Sequence, residues 1–501
     1  MIELVFKTIK EIETRGFEAY LVGGSVRDFL MGKEAHDFDI TTNALPEEIL
    51  NIFSEAKYEN NFGTVILPIK NENKEILTVL EVTTYRSETG YRDHRRPDEV
   101  IFETDLDKDL ARRDFTVNAM ALRPIGLGAG KYGAKKINID KNNSVDFGSN
   151  ELELVDLFGG LKDIKLKIIR AVGEPVDRFK EDALRMIRAI RFSAQLGFEL
   201  EPKTERAIIK MAGSLKFIAK ERIKDELIKI FSSDNPSLGI EMLNKTKLLQ
   251  YIIPELLYGE DLKQNHHHIY TVYKHNLLSL KYCPSSKWQV RLAALMHDIG
   301  KPQSMKIING QTTFYNHEYI GSKITGKVMT RLKFSNQDID MVVNLVKNHM
   351  FYYNVGEVTA ASVRRLIAKT GQENLKDLID LRVADRLGSG TPKAMPYKLR
   401  HLEYMMEKVQ NDPISAKMLK VDGCDLMSYL KIEAGPKIGA ILDVLLAEVL
   451  EDPVLNDKKA LLTRATELND MNLQNLRSKA KELIGEKIEA DDLDIKKKFK
   501  V

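Results

Sequence analysis

Two aspartates one residue apart, Asp37 and Asp39, lie shortly after a Gly23-Gly24 pair, and together they suggest a particular chemistry. Asp37-Phe38-Asp39-Ile40 alternates polar and apolar, so on a strand both carboxylates point to one face. Their α-carbons would lie roughly 6.6 Å apart, a spacing that can hold a pair of divalent cations about 3.5–4 Å from each other. Leu21 and Val22 read as the end of a buried strand, and Gly23-Gly24 as a turn where backbone amides approach a ligand closely. Ser25, with Asp28 three residues on, reads as a capping box opening a short helix. Amides at that helix start, beside Arg27, would suit a phosphate. A phosphate cradle next to metal-binding carboxylates is the equipment for nucleotidyl transfer.

Each piece alone has a plain alternative: Gly-Gly is usually just a turn, and Asp-x-Asp a solvated strand edge. Other segments add weight. Glu81, on a run reading as strand before Thr83-Thr84-Tyr85-Arg86, offers a third carboxylate to position an attacking hydroxyl or complete a metal site. Arg112-Arg113-Asp114, followed by Asn118, could bind a triphosphate and ribose hydroxyls, since the planar arginine fork suits phosphate. In Arg178 to Phe192, Asp182 and Arg185 stand at i and i+3 and would share a helix face, offering an acceptor and donors to a base edge. Arg188 and Arg191 would continue a basic ridge, each turned about 60° further, as triphosphate or RNA contacts. A surface ion pair is the alternative for Asp182 and Arg185; it leaves the additional arginines without a reason.

Seven of the ten histidines fall between His266 and His349. His275, the His297-Asp298 pair and the distant Asp385 fall on separate predicted helices and can converge on one divalent cation. His317 and His349 lie nearby in sequence, and His266-His267-His268 is a further source of ligands. The alternative is that these groups cap and pack helices.

The elements that must position these groups fall into two regimes. Up to about residue 165 short strands (Val65 to Ile69, Ile76 to Val82, Lys165 to Arg170) mix with helices. From about Asp177 the pattern is almost wholly helical, with Phe179, Leu184, Ile187, Ile190 and Ala194 at helical spacing. The Gly-rich run from Ile125 to Asn150 reads as an exposed loop insertion, and Arg86 to Pro97 as a mobile charged loop. The chain of 501 residues exceeds one core, which predicts several domains: 1–165, 166–265, 266–390 and 391–501. Two cysteines exclude a disulfide framework and a cysteine zinc site. A net charge of +3 neither requires nor forbids nucleic acid, so RNA contacts must rest on local charge such as Lys203 to Arg206 and Glu221 to Lys224. Absence of a long apolar run and of a signal-peptide pattern leads us to expect a cytoplasmic protein without membrane contact.

The joint spacing of Gly-Gly-x-Val-Arg-Asp and Asp-x-Asp resembles the DNA-polymerase-β-like nucleotidyltransferases, and within them the bacterial-type (class II) CCA-adding tRNA nucleotidyltransferases and poly(A) polymerases. The resemblance implies an α+β multidomain protein: a polymerase-β-like nucleotidyltransferase head of mixed sheet and helices, then an all-α neck, body and tail. It implies two Mg²⁺ ions on Asp37 and Asp39, joined by Glu81, with Gly24, Arg27 and Arg113 on phosphates and Asp114 on the ribose. Glu181-Asp182-x-x-Arg185 is similar to the motif that reads incoming cytosine or adenine in place of a template. CTP, ATP and the tRNA acceptor arm and 3′ end are the implied partners. Arg86 to Pro97 looks like the loop that switches complete CCA-adding enzymes from CTP to ATP. His297-Asp298-Ile299-Gly300-Lys301 resembles the HD phosphohydrolases, which implies a divalent transition metal on His275, His297, Asp298 and Asp385. His317 and His349 stand where two-metal members place extra ligands, and the implied reaction is hydrolysis of a phosphomonoester or cyclic phosphodiester. Two rival readings are a poly(A) polymerase or A-adding relative, and an HD phosphohydrolase whose N-terminal half only binds nucleotide or RNA.

Overall fold

The computed structural model describes residues 1–35, 37–59, 63–70, 73, 75–91, 97–125, 132, 135–138, 151–264, 269–309, 311–351, 360–391, 395–411, 419–451 and 453–480. His266 to His268, residues 92–96 of the charged loop, most of the insertion and the basic C-terminal run lie outside the described residues. The chain forms two compact units: residues 1–347 with 380–390, and residues 348–379 with 391–501.

The first unit begins with α1 (Ile2–Thr14), β1 (Ala19–Val22), α2 (Gly24–Leu30), β2 (Asp39–Thr42), α3 (Pro46–Ile52), β3 (Lys57–Tyr58), β4 (Thr64–Lys70) and β5 (Ile76–Thr84). A hairpin of β6 (Arg86–Tyr91) and β7 (Pro97–Phe102) follows, then α4 (Leu106–Ala111), β8 (Ala121–Pro124), β9 (Lys135–Asn138) and β10 (Glu151–Val155). The main sheet has eight strands in the order β3-β4-β5-β2-β1-β8-β10-β9. β2 lies at its middle, parallel to β5 and antiparallel to β1. Strand periodicity sorts the side chains into two layers. Leu21, Ile40, Val82, Leu122 and Leu152 meet Val5, Phe6, Ile9 and Ile12 of α1 on one face. Tyr20, Val22, Tyr85 and Val155 meet Leu106 and Leu110 of α4 in the other cluster.

Three local expectations change. The charged loop after β5 is, on both sides of residues 92–96, a paired hairpin with Arg86 opposite Phe102. Part of the insertion is a strand, because β9 pairs with β10 and extends the sheet. Lys165 to Arg170 is not a strand throughout: α5 (Gly160–Leu166) runs into it and Lys167, at φ 56°, ends the helix, leaving only Ile168–Ile169 extended.

Helices then take over: α6 (Pro175–Glu181), α7 (Leu184–Leu196), α8 (Pro202–Met211) and α9 (Lys220–Phe231). Further helices include Val272–Lys281, Trp288–Met296 and His317–Arg331, and the hairpin Lys306–Ile308 with Gln311–Thr313 is a small β interruption. The second unit is helical and has its own core of Leu426, Ile441, Val444, Leu461 and Leu468. Among the described residues no helix is long and apolar enough to cross a membrane.

Candidate active site and a second polar cluster

Asp39 opens β2, with Val22 opposite on β1 and Glu81 opposite on β5. Asp37 is exposed just before the strand, and Phe38 between them is buried as an anchor. Burial pushes the Asp39 carboxyl up; Arg113 opposes this and Asp37 adds to it. Glu81 is raised by burial, then by Asp39, Glu59 and Asp37. The carboxylates therefore feel one another's charge, and such an oxygen donor set fits a hard divalent cation.

Gly23 is the cap of α2 at φ 77°, ψ −143°, a conformation essentially reserved for glycine. A Cβ there would stand 3.2 Å from Asp39 Oδ2 and 3.5 Å from Arg113 Nη1, so the absent side chain lets the glycine turn, carboxylate and arginine converge. The expected Ser25–Asp28 capping box is absent. Ser25 instead donates to the Val22 carbonyl at 2.9 Å, and Asp28 takes two bonds from Arg27. The helix starts two residues earlier than a Ser25 cap would place it, at Gly24, and its cap residue Gly23 has no side chain to cap with.

Arg27 Nη1 donates to Asn118 Oδ1 at 2.7 Å, and Asn118 Nδ2 donates to Asp114 Oδ1 at 3.3 Å. Arg188 closes the chain with two bonds to Asp114 Oδ2, at 2.8 and 2.6 Å. Burial alone would raise the Asp114 carboxyl; Arg188, Arg185 and Asn118 outweigh it and hold it down at about 2. The guanidinium carbons of Arg27, Arg188 and Arg191 stand 5.4, 5.5 and 4.1 Å from the centre of the Phe192 ring, so one aromatic supports arginines from the sheet side and from α7.

Asp182 and Arg185 do not share an unbroken helix. The chain leaves helical geometry at Asp182 (φ −143°, ψ 106°) because its carboxylate caps α7 through Leu184 N at 3.0 Å. Asp182 is gripped by Arg222 of α9 at 2.8 and 3.2 Å. Arg185 binds Glu181 at 2.5 Å and the Arg112 carbonyl at 3.0 Å. The expected basic ridge also turns inward: Arg191 is buried and lies 3.1 Å from Glu226. Arg222, forty residues from Asp182, leaves no local signal in the sequence. Asp109 was missed too, although its i,i+4 spacing to Arg113 and i,i+3 spacing to Arg112 could have found it.

The second cluster has a different chemistry. His275 Nε2 and His297 Nε2 face each other at 3.0 Å. Asp298 Oδ2 lies 3.2 and 3.3 Å from them, and Asp385 Oδ1 lies 3.3 and 3.6 Å away. The donor atoms of His275, His297 and Asp385 lie within 4.8 Å of one another, and their separations are near the roughly 3.4 Å edge of a tetrahedron with ligands at about 2.1 Å. His297 Nδ1 is bonded to the Ala294 carbonyl at 2.9 Å, which leaves Nε2 directed at the shared point. Each carboxylate also has a cation behind it: Lys301 Nζ at 2.6 Å from Asp298 Oδ2, and Arg382 Nη1 at 2.6 Å from Asp385 Oδ2. His317 Nε2 stands 3.2 Å from Asp298 Oδ1. Burial would lower the His297 imidazole, but Asp298 and Asp385 prevail and lift it to about 10. A cation at the centre would satisfy the same charges, so the donor set fits one. His349 follows the helix Asn336–Asn348 and belongs to the second unit.

Comparison with known proteins gives the family of the chain. The poly A polymerase head domain model matches residues 19–170, the model named Probable RNA and SrmB- binding site of polymerase A matches 197–258, and tRNA nucleotidyltransferase domain 2 matches 318–465. The CCA-adding enzyme of Levilactobacillus brevis is 34% identical over 474 residues, covering 93% of this chain and 98% of that protein. That of Leuconostoc mesenteroides is 31% identical over 469 residues, covering 93% and 96%. The crystal structure of the Bacillus stearothermophilus CCA-adding enzyme in complex with CTP superposes with a TM-score of 0.53 at 26% identity, covering 94% of this chain and 98% of that one. With its sheet carboxylates, its Arg113-Asp114 segment and a full-length likeness of this kind, the chain belongs to the CCA-adding enzyme family.

Proposed function

We propose that this protein adds C, C and A to the 3′ end of tRNA, using CTP and ATP and no nucleic-acid template. The observation that carries the reading is the junction of two segments. Arg185 is bonded to the Arg112 carbonyl and Arg188 to Asp114, which sets a base-edge pair beside phosphate-binding arginines. Nucleotidyltransferases of this family use divalent metals; two Mg²⁺ on Asp37 and Asp39 would activate the tRNA 3′-hydroxyl and stabilise the departing pyrophosphate.

The chain's own residues do the rest. Gly24 and Arg113 bind phosphates, and Arg27, braced by Asp28 and Asn118, supports them. Glu81 orients the attacking hydroxyl. Asp114 meets the ribose through Oδ2, shared with Arg188. Asp182, held as an acceptor-only carboxylate, takes a proton donor from cytosine N4 or adenine N6, while Arg185 donates to the adjacent ring nitrogen. The tRNA duplex is recognised by shape and backbone along the helical segments. The head spans 1–165, the neck and body 166–265, the HD domain 266–390 and the tail 391–501. Incubation of tRNA ending in N, NC and NCC with CTP and ATP supplied separately tests the reading. Stepwise C, C and A addition is expected; A only, on the CC-ending substrate alone, would overturn it in favour of an A-adding relative.

The packing of His275, His297, Asp298 and Asp385 favours a second activity, hydrolysis of a phosphomonoester or cyclic phosphodiester at a divalent transition metal. One equivalent of tightly held metal, lost in His275→Ala, is the expected result; the same metal content in wild type and variant would remove the proposal.

A further inference from the structure

Asp109 sits on α4 with no solvent exposure, yet it carries more side-chain partners than any residue of the proposed catalytic strand. Oδ1 accepts from Arg112 Nε at 3.0 Å and Nη2 at 2.6 Å. Oδ2 accepts from Arg113 Nη2 at 3.0 Å and from Thr41 Oγ1 at 3.3 Å. Thr41 is two residues beyond Asp39 in β2, so it shares that residue's face of the strand. Asp109 thus ties the strand bearing Asp39 to the arginine beside it.

The other end of Arg113 points the opposite way. Its Nη1 borders the space where a Gly23 side chain would be, next to Asp39 Oδ2. Its Nε, on the same edge as the Nη2 held by Asp109, is buried and has no acceptor among the described residues. Arg113 is therefore clamped through Nη2 and presents Nη1 on the side of Gly23 and Asp39. The carbonyls of Ala111 and Arg112, at the end of the same helix, are bonded by Arg178 and Arg185, so the clamp adjoins the segment that would read the base.

We infer that Asp109 is a positioning residue for nucleotidyl transfer: it holds Arg113 by Nη2 so that the Nη1 side, next to Gly23 and Asp39, faces the triphosphate. The inference rests on the reading of Arg113 as a phosphate contact. Two arginines around one buried carboxylate also leave one positive charge uncompensated, which suits an anionic ligand. Asparagine at this position keeps the shape, but it loses the charge and sets an N–H against one of the arginine donors.

The test is binding of CTP and of CMP, each with Mg²⁺, to the full-length wild-type protein, Asp109→Asn, Arg113→Gln and the double variant by calorimetry. Asp109→Asn is expected to weaken CTP by at least about 10-fold and CMP by less than about twofold, since only the former has the phosphates in question. In the Arg113→Gln background the same change should add less than about twofold, because the group it positions is gone. Equal loss for both nucleotides, or losses that multiply, would overturn the inference. If Arg113→Gln itself spares CTP, the phosphate reading falls, and the inference with it; if it weakens CTP while Asp109→Asn does not, the inference alone falls. Should Asp109→Asn fail to fold, Thr41→Val removes one bond to the clamp without changing charge. It should then weaken CTP about twofold to threefold and spare CMP; no change in CTP affinity would overturn the inference.

Discussion

Asp182 shows how a residue's partners define its chemistry. Arg222 binds both its oxygens and Leu184 N adds a third bond, so the carboxylate is fixed in place and only accepts. An acceptor favours bases carrying an exocyclic amine at that edge and repels a carbonyl. Asp182→Ala should therefore reduce discrimination of CTP over UTP by about 10- to 100-fold, the value of one charge-assisted hydrogen bond. Triphosphate affinity should change little, and Arg222→Gln should give a smaller loss of the same kind. Misincorporation assays with the four nucleotides decide it: unchanged selectivity in both variants removes the base-reading role. Asp114 supports a pH prediction. Its carboxyl is held at about 2 when folded, against about 3.9 when unfolded, so it stabilises the head by roughly 2–3 kcal/mol at neutral pH. A depressed acid contributes fully above its unfolded pKa and loses its contribution as pH falls toward the folded one. The stability gap between wild type and Asp114→Asn in urea should thus be flat above about pH 5 and narrow between about pH 4 and 2; a gap independent of pH there would refute the assignment.

At the scale of elements, the turn between β1 and α2 concentrates the strain. Gly23 has a backbone conformation that costs an ordinary residue about 1–3 kcal/mol, and its missing Cβ faces Asp39 and Arg113. Gly23→Ala should lower thermal stability by about that amount and cut turnover at least about 10-fold, read by thermal unfolding and by single-nucleotide incorporation. Retained turnover would mean the turn does not set the geometry of Asp39. The same turn shows what a sequence can disclose. The Gly-Gly pair and the apolar flanks of β1 were legible because only glycine tolerates that turn and strand faces alternate. That Glu81 joins the aspartates was expected from its strand and from the resemblance, but the register that sets it opposite Asp39 has no local signal, since a strand's neighbour is chosen by tertiary packing. Nor was the break at Asp182: the Arg185 N to Asp182 O bond of 3.0 Å keeps a helical turn across it, so Phe179, Leu184 and Ile187 stay at helical spacing while the backbone departs. Arg191 was expected on the surface because arginines usually are, and only the distant Glu226 makes its burial tolerable.

Across the whole molecule, the first unit contains two polar centres assembled from different elements. One is built on β2, β5, α4 and α7. The other takes His275 from the helix Val272–Lys281, His297-Asp298 from the end of Trp288–Met296, and Asp385 from the helix Leu375–Gly388. Their donor sets differ as well. Carboxylates alone suit Mg²⁺, whereas paired imidazoles with carboxylates suit a transition metal. Separate elements and separate metal preferences argue that the two chemistries can be removed one at a time. Asp39→Asn should abolish nucleotide addition, by at least about 10³-fold for loss of a metal-binding carboxylate, and leave transition-metal-dependent phosphate ester hydrolysis intact. Asp385→Ala should do the reverse: it takes a carboxylate out of the His275–His297 cluster and away from Arg382, yet touches nothing on the sheet. Assays of both variants for both activities, with Mg²⁺ and with a transition metal added in turn, check the crossing pattern. If Asp39→Asn still adds nucleotides, the sheet carboxylates are not the metal site. If Asp385→Ala loses both activities together, the two centres form one functional unit despite their separate construction.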